Sequence, residues 1–379
     1  MTFKRRSMLL AGGLLVVVPG LAQTFARPLG GQGAAPIDVS LSEAQQVVAR
    51  ASLPGAHFTG PESGPSAQAN KSIALVAEDL RNGGIVGVAQ GVRQAVLAIG
   101  WALKVFDAGG TAAGRSAALE RALESHPDGL ILCGLDAQSS NSAVARFASR
   151  GVSVVAWHAA PKSGPIPDTA VAMNVTTDAM EVARVTALAA VAQSHGHAGV
   201  VILTDSNFAI AIAKSNAMAD IIRACKGCTL LEVRDVAISR SAETMPAITK
   251  ELLARYGKRW THALAINDIY FDYAIPTLTE AGVPVSALTL LSAGDGSAPA
   301  FLRIQANTYQ AGTVAEPLNM QGWQLVDELN RLFAGQPVSG FVAPVHLVNA
   351  SNIAFDGGSR FQYDPDNGYR DIYRRIWKR

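Results

Sequence analysis

The stretch HALAINDIYFDYAIPTLTEAG, His262–Gly282, contains one repeating unit of this chain. An apolar run from Ala263 to Ile266 is followed by the polar pair Asn267 and Asp268, and then by an aromatic-rich helical pattern. A short apolar run without polar–apolar alternation is typical of a parallel strand that is covered on both faces. The stretch therefore predicts a buried strand followed directly by a helix.

The same pattern recurs along most of the chain from Lys71 onward. Eight further runs alternate with helical segments: SIALVAE, LKVFDA, GLILCG, VSVVAWH, AGVVILTD, TLLEVRDV, LTLLSAGD and QAGTVAE. Repeated strand–helix units predict an α/β fold with doubly wound parallel sheets. Nine strands are many for one sheet, so two lobes of about 130 residues each fit the usual size of a domain better.

Nearly every apolar run ends in a polar or small residue. These residues are Glu78, Gly134, His158, Asp205, Asn267–Asp268, Asp295 and Glu316. In open α/β sheets, ligands bind beyond the carboxyl ends of the strands, so these positions form the candidate site. We expect Asp268 to cap the helix that begins near Ile269, which leaves Asn267 free to point into a cleft. In the alternative, both residues serve only the turn.

The N-terminus has the pattern of an export signal. Residues 1–26 combine the charged segment KRRS, the apolar segment MLLAGGLLVVVPG and small-residue cleavage sites at Ala22 and Ala26. Arg5–Arg6 resembles a twin-arginine signal, although an ordinary secretory signal can also carry two arginines. A membrane anchor is the other alternative, but the apolar segment is short and contains glycine and proline. Residues 27–70 are predicted to be a flexible extension in which SLSEAQQVVARA can form a short helix.

Composition limits the classes of partner. Apolar residues make up 49% of the chain and charged residues 16%, which indicates a large packed core. Without Lys4, Arg5 and Arg6 of the signal, 29 basic and 30 acidic side chains leave a net charge of −1. A nearly neutral chain lacks the electrostatic signature of proteins that bind nucleic acid or anionic membranes.

The chain has three cysteines. Cys225 and Cys228, in the segment CKGC, favour a local disulfide in an oxidising compartment, with free thiols and a redox or metal role as the alternatives. Cys133 ends a predicted strand and is most simply a small apolar core residue.

Three segments together resemble a known family. ALAINDIYFDYA, LSAGDGSAPAFLRI and YQAGTVAEPLNMQGWQLVDELNRLFAGQPV are similar, in order and spacing, to segments of type I periplasmic binding proteins, specifically the ribose/galactose-type sugar-binding components of ABC transporters. The resemblance implies two doubly wound parallel-sheet lobes joined by a three-strand hinge. Lobe 1 would comprise residues 71–174 and 317–347, and lobe 2 residues 175–316 and 348–379, including the C-terminal tail. The crossovers would fall near residues 172–175, 316–317 and 347–349.

The resemblance also implies a ligand-binding set at the cleft. The residues at the matching positions are Glu78, Asn82, Trp157, His158, Phe208, Asn216, Asn267, Asp295 and Glu316. The chain departs from the family at several places, including Asn216, where an arginine is common, and the loop AGDG before and after Asp295, where an aromatic residue is missing. Gly83 and Gly84 stand where aromatic residues are usual, Trp157 and His158 replace an Asp-Arg ending, and Glu316 stands where glutamine is common.

These departures leave the ligand open. Glu78, Asp295 and Glu316 would place three carboxylates in one cleft, and like charges raise one another's pKa unless cations or donors compensate them. One hypothesis is a ligand that carries positive charge, or a polyol or alcohol instead of a common sugar. The alternative is that His158 or nearby arginines balance the carboxylates.

The resemblance thus implies a periplasmic solute-binding protein that captures a small polar molecule by hinge closure and delivers it to an ABC importer. We expect a monomer that partners an ABC transporter permease, with no enzymatic activity, no cofactor, no metal and no nucleic acid. A module that presents the bound ligand to a histidine kinase or chemoreceptor is the alternative.

Overall fold

The computed structural model describes residues 39–55, 57–357 and 360–379. The predicted export signal, residues 1–26, lies outside the described residues. In the described part, no helix is both long and apolar enough to cross a membrane.

Two sheets carry the fold. The strands of the first sheet are β1 Ser72–Ala77, β2 Ala102–Asp107, β3 Gly129–Cys133, β4 Ser153–Trp157 and β5 Val171–Val175, in the order β2-β1-β3-β4-β5. Those of the second are β6 Gly199–Thr204, β7 Thr229–Asp235, β8 His262–Ala265, β9 Thr289–Ser292, β10 Gln310–Ala315 and β11 His346–Asn349, in the order β11-β10-β9-β8-β6-β7. All pairs are parallel except β10 with β11. The predicted class, two doubly wound and mainly parallel α/β lobes, is confirmed.

Helices cover both sheets. They are α1 Leu41–Ala51, α2 Gly83–Ile99, α3 Ala112–Glu124, α4 Asn141–Ala148, α5 Ala179–Gln193, α6 Ala209–Ala224, α7 Ser241–Tyr256, α8 Ile269–Glu280, α9 Ala298–Gln305, α10 Leu318–Phe333 and α11 Tyr369–Trp377. All nine predicted runs form strands, because a strand between two helical layers must be apolar on both faces. The edge strands β2 and β7 are partly exposed, so they are not covered on both faces as predicted.

Helix α10 packs on lobe 1, although it follows the last parallel strand of lobe 2. Its close approach to α2 requires glycine in both helices. A Cβ atom on Gly91 would lie 2.5 Å from the carbonyl oxygen of Asn319, and one on Gly322 would lie 2.5 Å from the backbone nitrogen of Val92. The two glycines therefore allow the helix backbones to touch.

The chain crosses between the lobes after Val175 and again at Glu316–Pro317. The third crossing comes earlier than expected. Ala343 packs in the core of lobe 1, whereas Val345 and Leu347 pack against the core of lobe 2. The sequence placed this crossing at 347–349, but β11 must already lie in lobe 2 to pair with β10.

The described part of the predicted flexible extension is packed against both lobes. Ala44 and Val47 of α1 are buried in the core of lobe 2. Phe58 is 7% exposed and packs edge-on against Phe341 and Tyr373 of lobe 1. The expectation of a flexible extension is therefore wrong for this part, because its apolar side chains find partners on both lobes.

The C-terminal tail was assigned to lobe 2, but α11 packs on lobe 1. The Trp377 ring stacks on Trp323 with centroids 5.4 Å apart, and its Nε1 donates to Asp327 at 2.8 Å. The backbone nitrogen of Ala67 donates to the carbonyl oxygen of Trp377 at 3.0 Å. The tail thus completes the core of lobe 1 after a further crossing between the lobes.

The cysteines follow the favoured interpretation. Cys225 and Cys228 form a disulfide across the turn that ends α6. Cys133 is a buried free cysteine at the end of β3, and burial raises the pKa of its thiol.

Replacing Trp377 with alanine should destabilise lobe 1 by about 3–5 kcal/mol, because it leaves a large cavity beside Trp323. The measurement is the thermal unfolding midpoint, which should fall by several degrees. Arg375→Ala, at an exposed position of the same helix, is the control and should change little. An unchanged midpoint for Trp377→Ala would contradict the packing of α11 on lobe 1.

Candidate functional site

A cavity of about 260 Å³ lies where the carboxyl ends of the two sheets face each other. Glu78 follows β1, and Trp157 and His158 end β4, so these side chains enter from lobe 1. Asn267 follows β8 and Asp295 follows β9, so these enter from lobe 2. The parallel order of the strands brings residues from distant parts of the sequence to one cleft.

The two lobes touch across this cavity at glycines. A Cβ atom on Gly84 would overlap the carboxylate of Asp295, and one on Gly83 would lie 2.7 Å from Cβ of Ser297. The cleft is therefore closed over the cavity. The space that aromatic side chains of α2 would occupy is taken by the loop after β9, which explains why glycines stand there.

His158 and Glu316 form a buried pair at the base of the cleft. His158 Nε2 lies 2.8 Å from Glu316 Oε1, and Gln321 Nε2 donates to Glu316 Oε2 at 2.7 Å. Burial alone raises the pKa of Glu316, but the charges of His158 and Lys214 and these hydrogen bonds outweigh burial and lower it to about 2. Glu316 is thus ionised, and groups of the protein itself compensate its negative charge.

His158 is held in place from both sides. Its backbone φ is +54°, a left-handed conformation that other contacts must support in a non-glycine residue. The Trp157 ring stacks on the imidazole with centroids 3.8 Å apart, and its Nε1 donates to Gln321 Oε1 at 2.8 Å. One face of Trp157 is therefore covered by His158 and is closed to a ligand.

The capping role predicted for Asp268 belongs to Asn267, which also lines the cavity. Asn267 Oδ1 accepts the backbone N–H of Ile269 at 3.0 Å, while its Nδ2 donates to Asp295 Oδ2 at 2.8 Å. Asp268 makes no capping bond and instead accepts the backbone N–H groups of Gly296 and Ser297. Asn267 therefore supports the turn and also positions Asp295, whereas Asp268 anchors the loop that carries Asp295.

Asp295 is a buried carboxylate of the cavity wall on lobe 2, and one of its oxygens lies 4.0 Å from His158 Nδ1 of lobe 1. Burial raises its pKa to about 6; His158 and Lys214 oppose this shift, and the nearby charges of Glu316 and Asp268 add to it. Lys214 is 3% exposed, and its Nζ donates to the carbonyl oxygen of Ala293 at 2.9 Å. A buried ammonium group thus lies close to the carboxylates of this wall.

Glu78 and Arg115 form a second pair at the other end of the cavity. Arg115 Nη1 donates to Glu78 Oε1 at 2.6 Å. Glu78 Oε2 is buried and has no hydrogen-bond partner among the described residues. Burial raises the pKa of Glu78 to about 7; Arg115 opposes the shift, and the charges of Asp79 and Asp205 add to it.

The structure brings together most of the predicted set. Seven of the nine predicted residues line the cavity: Glu78, Asn82, Trp157, His158, Phe208, Asn267 and Asp295. Glu316 lies behind His158 and does not line it. Asn216 is exposed on α6, outside the cavity, because the buried face of this helix at that level carries Lys214 and Ser215.

Sequence reasoning missed Arg115 and Lys214, which also line the cavity. Both lie inside helices, whereas the site was predicted from polar residues at the ends of strands. A lysine within the alanine-rich segment AIAIAKSNAMAD is the only such hint for Lys214 in the sequence. For Arg115 we find no comparable signal.

Each of the three carboxylates has a cationic neighbour within the protein. Arg115 pairs with Glu78, and the charge of Lys214 lowers the pKa of both Asp295 and Glu316. This arrangement favours internal compensation over a cationic ligand. The possible metal-ligand atoms of His158, Asp295 and Glu316 also lie within 4.8 Å of one another, which is close enough to hold a metal ion. The His158–Glu316 hydrogen bond and the nearby ammonium group already account for this cluster.

Comparison with known proteins gives a family match over residues 73–337, described as a periplasmic binding protein domain. No curated protein matched the chain.

Solved structures share the fold at low identity. One is an ABC transporter solute-binding protein from Agrobacterium vitis with bound allitol, at 17% identity and a TM-score of 0.64, covering 75% of this chain and 97% of that one. Another, from Mycobacterium smegmatis with bound glycerol, has 18% identity and a TM-score of 0.66, covering 76% and 96%. A third, from the arabinose ABC transporter of Shewanella sp. ANA-3, has 14% identity and a TM-score of 0.65, covering 76% and 95%.

Glu78→Gln should stabilise the ligand-free protein at alkaline pH. The pKa of Glu78 in the folded protein, about 7, lies above its ordinary value of 4.5. The neutral carboxyl therefore favours folding at low pH, and wild type loses this contribution as the pH rises through about 7. Relative to wild type, the variant should gain about 3 kcal/mol in unfolding free energy between about pH 4 and pH 8.

Chemical denaturation of wild type and variant at both pH values measures the two unfolding free energies. Comparing their difference between the two pH values cancels any effect of the substitution that does not depend on pH. Glu124→Gln, at an exposed position, is the control and should show little pH-dependent change. An equal stability difference at both pH values would show that Glu78 is not held in its neutral form.

Proposed function

Because this chain belongs to the type I periplasmic binding protein family, we propose that it is an exported solute-binding protein. It captures a small, neutral polyhydroxyl compound between its lobes and delivers it to an ABC importer. The observation that carries this proposal is the closed cavity between the strand ends, in which Arg115 pairs with Glu78 and the charge of Lys214 lowers the pKa of Asp295.

The compounds bound by structural neighbours support the ligand class. Allitol, glycerol and arabinofuranose, named in the neighbours from Agrobacterium vitis, Mycobacterium smegmatis and Shewanella sp. ANA-3, are all neutral and polyhydroxylated. These neighbours are components of transporters, which favours import over the sensing alternative. They are binding proteins, so we propose no reaction for this chain.

The cavity favours a small ligand without a broad flat face. Its volume of about 260 Å³ is slightly below the usual range of small-molecule sites, roughly 300–1,000 Å³. Aliphatic side chains form much of the apolar wall, namely Ile85, Ile210, Ile238 and Ile266. Phe208 adds a ring, whereas one face of Trp157 is covered by His158. Since a pyranose normally needs aromatic surface against its apolar face, an alditol or a small furanose fits better.

Closure of the lobes would couple binding to recognition by the transporter. The contacts between Gly84 and Asp295 and between Gly83 and Ser297 exist only while the lobes meet. A ligand that bridges both walls stabilises this state by its differential affinity for the closed form. The permease then meets a surface formed by both lobes in their closed arrangement.

Two features of the chain support export to the periplasm. Residues 1–26 have the sequence pattern of an export signal, and Arg5–Arg6 suggests the twin-arginine route. The Cys225–Cys228 disulfide fits an oxidising compartment.

Thermal unfolding of the mature protein against glycerol, ribitol, allitol, arabinose and a set of amines tests the proposal. A compound at about 100 times its dissociation constant stabilises the protein by roughly 2.7 kcal/mol. We expect a rise of several degrees with at least one alditol or sugar. A response to amines alone would contradict the neutral ligand, and no response to any compound would count against the proposed function.

Gly84→Ala should leave the fold intact but weaken ligand binding. Alanine is favoured in a helix, so α2 should form at least as well. The added methyl group would overlap Asp295 of the other lobe and oppose closure. Affinity for the best alditol or sugar should fall about tenfold or more, as overpacking of this kind usually costs about 1–3 kcal/mol.

Isothermal titration calorimetry measures this affinity. Gln90→Ala, at an exposed position of the same helix, is the matched control and should bind as wild type does. Wild-type affinity in the Gly84→Ala variant would show that the contact with Asp295 is not needed in the bound state.

A further inference from the structure

We propose that Glu78 and Arg115 together form a subsite for two adjacent hydroxyl groups of the ligand. Glu78 accepts a hydrogen bond from one hydroxyl, and Arg115 donates a hydrogen bond to the other. This inference rests on the proposed function and goes further, because it assigns the chemical group that this end of the cavity recognises.

The free acceptor belongs to Glu78. The residue is 4% exposed, and one carboxylate oxygen is already bound by Arg115 at 2.6 Å. The other oxygen, Oε2, is buried without a hydrogen-bond partner among the described residues, and Glu78 is one of the residues that line the cavity. A buried acceptor that stays unpaired is unfavourable, so a ligand donor at this point would remove a penalty that the ligand-free protein carries.

The free donors belong to Arg115. Its side chain, on the first turns of α3, is 26% exposed and lines the same cavity. Among the described residues only Nη1 makes a hydrogen bond, to Glu78, so Nε and Nη2 remain available. The planar guanidinium holds these donors in a fixed geometry beside the carboxylate.

An adjacent donor and acceptor suit a vicinal diol. Each hydroxyl group can donate one hydrogen bond and accept others, so two neighbouring hydroxyls can satisfy both partners at once. An ammonium group could also reach Oε2, but it would be brought next to the positive charge of Arg115. The pair therefore favours a neutral hydroxyl over a cation.

Several charged groups surround Glu78. Asp79 follows it in the chain and is bound by Arg81 at 2.6 Å. Asp205, from the end of β6 in the other lobe, accepts hydrogen bonds from Asn207 and from the backbone of Ile238. His158, Lys214 and Asp295 line the remaining part of the cavity.

Binding should therefore be linked to protons. Burial raises the pKa of Glu78 to about 7 in the ligand-free protein. A hydroxyl that donates to the ionised carboxylate favours that form and lowers its pKa again. Affinity should rise as the pH increases from about 5.5 to about 8, with release of protons on binding.

The test is isothermal titration calorimetry of the full mature protein with glycerol, ribitol, allitol and arabinose. Wild type, Glu78→Gln, Arg115→Ala and Arg115→Lys are compared, with Arg121→Ala at an exposed position of α3 as the matched control. Arg115→Lys keeps the charge and serves if the alanine variant folds poorly. Titration in two buffers of different ionisation enthalpy counts the protons released.

We expect Glu78→Gln and Arg115→Ala each to lose about tenfold or more in affinity for the probe that binds wild type most tightly. Glu78→Gln should lose the rise in affinity that wild type shows near pH 7, whereas any dependence near pH 6 that arises from Asp295 should remain, and Arg121→Ala should match wild type. Binding by both variants at wild-type affinity would overturn the subsite and leave the proposed function standing. If wild type binds none of the four probes, the proposed ligand class fails together with the subsite.

Discussion

The buried pair formed by His158 and Glu316 fixes the base of the cleft, where the chain crosses from one lobe to the other. His158 ends a strand of lobe 1, and Glu316 lies where the chain crosses from lobe 2 into α10. Burying two such groups is unfavourable unless further hydrogen bonds satisfy them. Gln321 supplies one to Glu316, and Gln321 is held in turn by Trp157, whose ring covers the imidazole. The pair is therefore part of a buried network that ties the crossing at Glu316 to lobe 1.

Charge compensation within the protein decides what the cavity can accept. Arg115 lies beside Glu78, and the charge of Lys214 acts on both Asp295 and Glu316, so these carboxylates do not need a positively charged ligand. What remains for the ligand is hydrogen bonding with the unpaired oxygen of Glu78 and the free donors of Arg115, and contact with the aliphatic walls. These demands suit a small compound with several hydroxyl groups.

The sequence predicted the strands and the position of the cleft, because both depend on local composition. A buried parallel strand must be apolar, and a polar residue where it ends faces the cleft. The roles of Asn267 and Asp268 could not be predicted, since the choice depends on the loop at Gly296–Ser297, which pairs with Asp268 only in the folded chain. The predictions of a flexible extension and of a tail in lobe 2 were wrong for a similar reason. An amphipathic pattern shows which face of a helix is buried, but not against which lobe.

The most direct test of lobe closure is the distance between the lobes in solution, measured by pulsed electron paramagnetic resonance. Spin labels would be attached at Ser142→Cys and Ala242→Cys, two exposed positions in the first turns of α4 and α7. Cys133 is buried and the other two cysteines are bonded to each other, so labelling should be confined to the new thiols. The account predicts a shorter and narrower distance distribution on addition of the alditol or sugar that most raises the unfolding midpoint. An unchanged distribution in the presence of a compound that binds would contradict capture by closure.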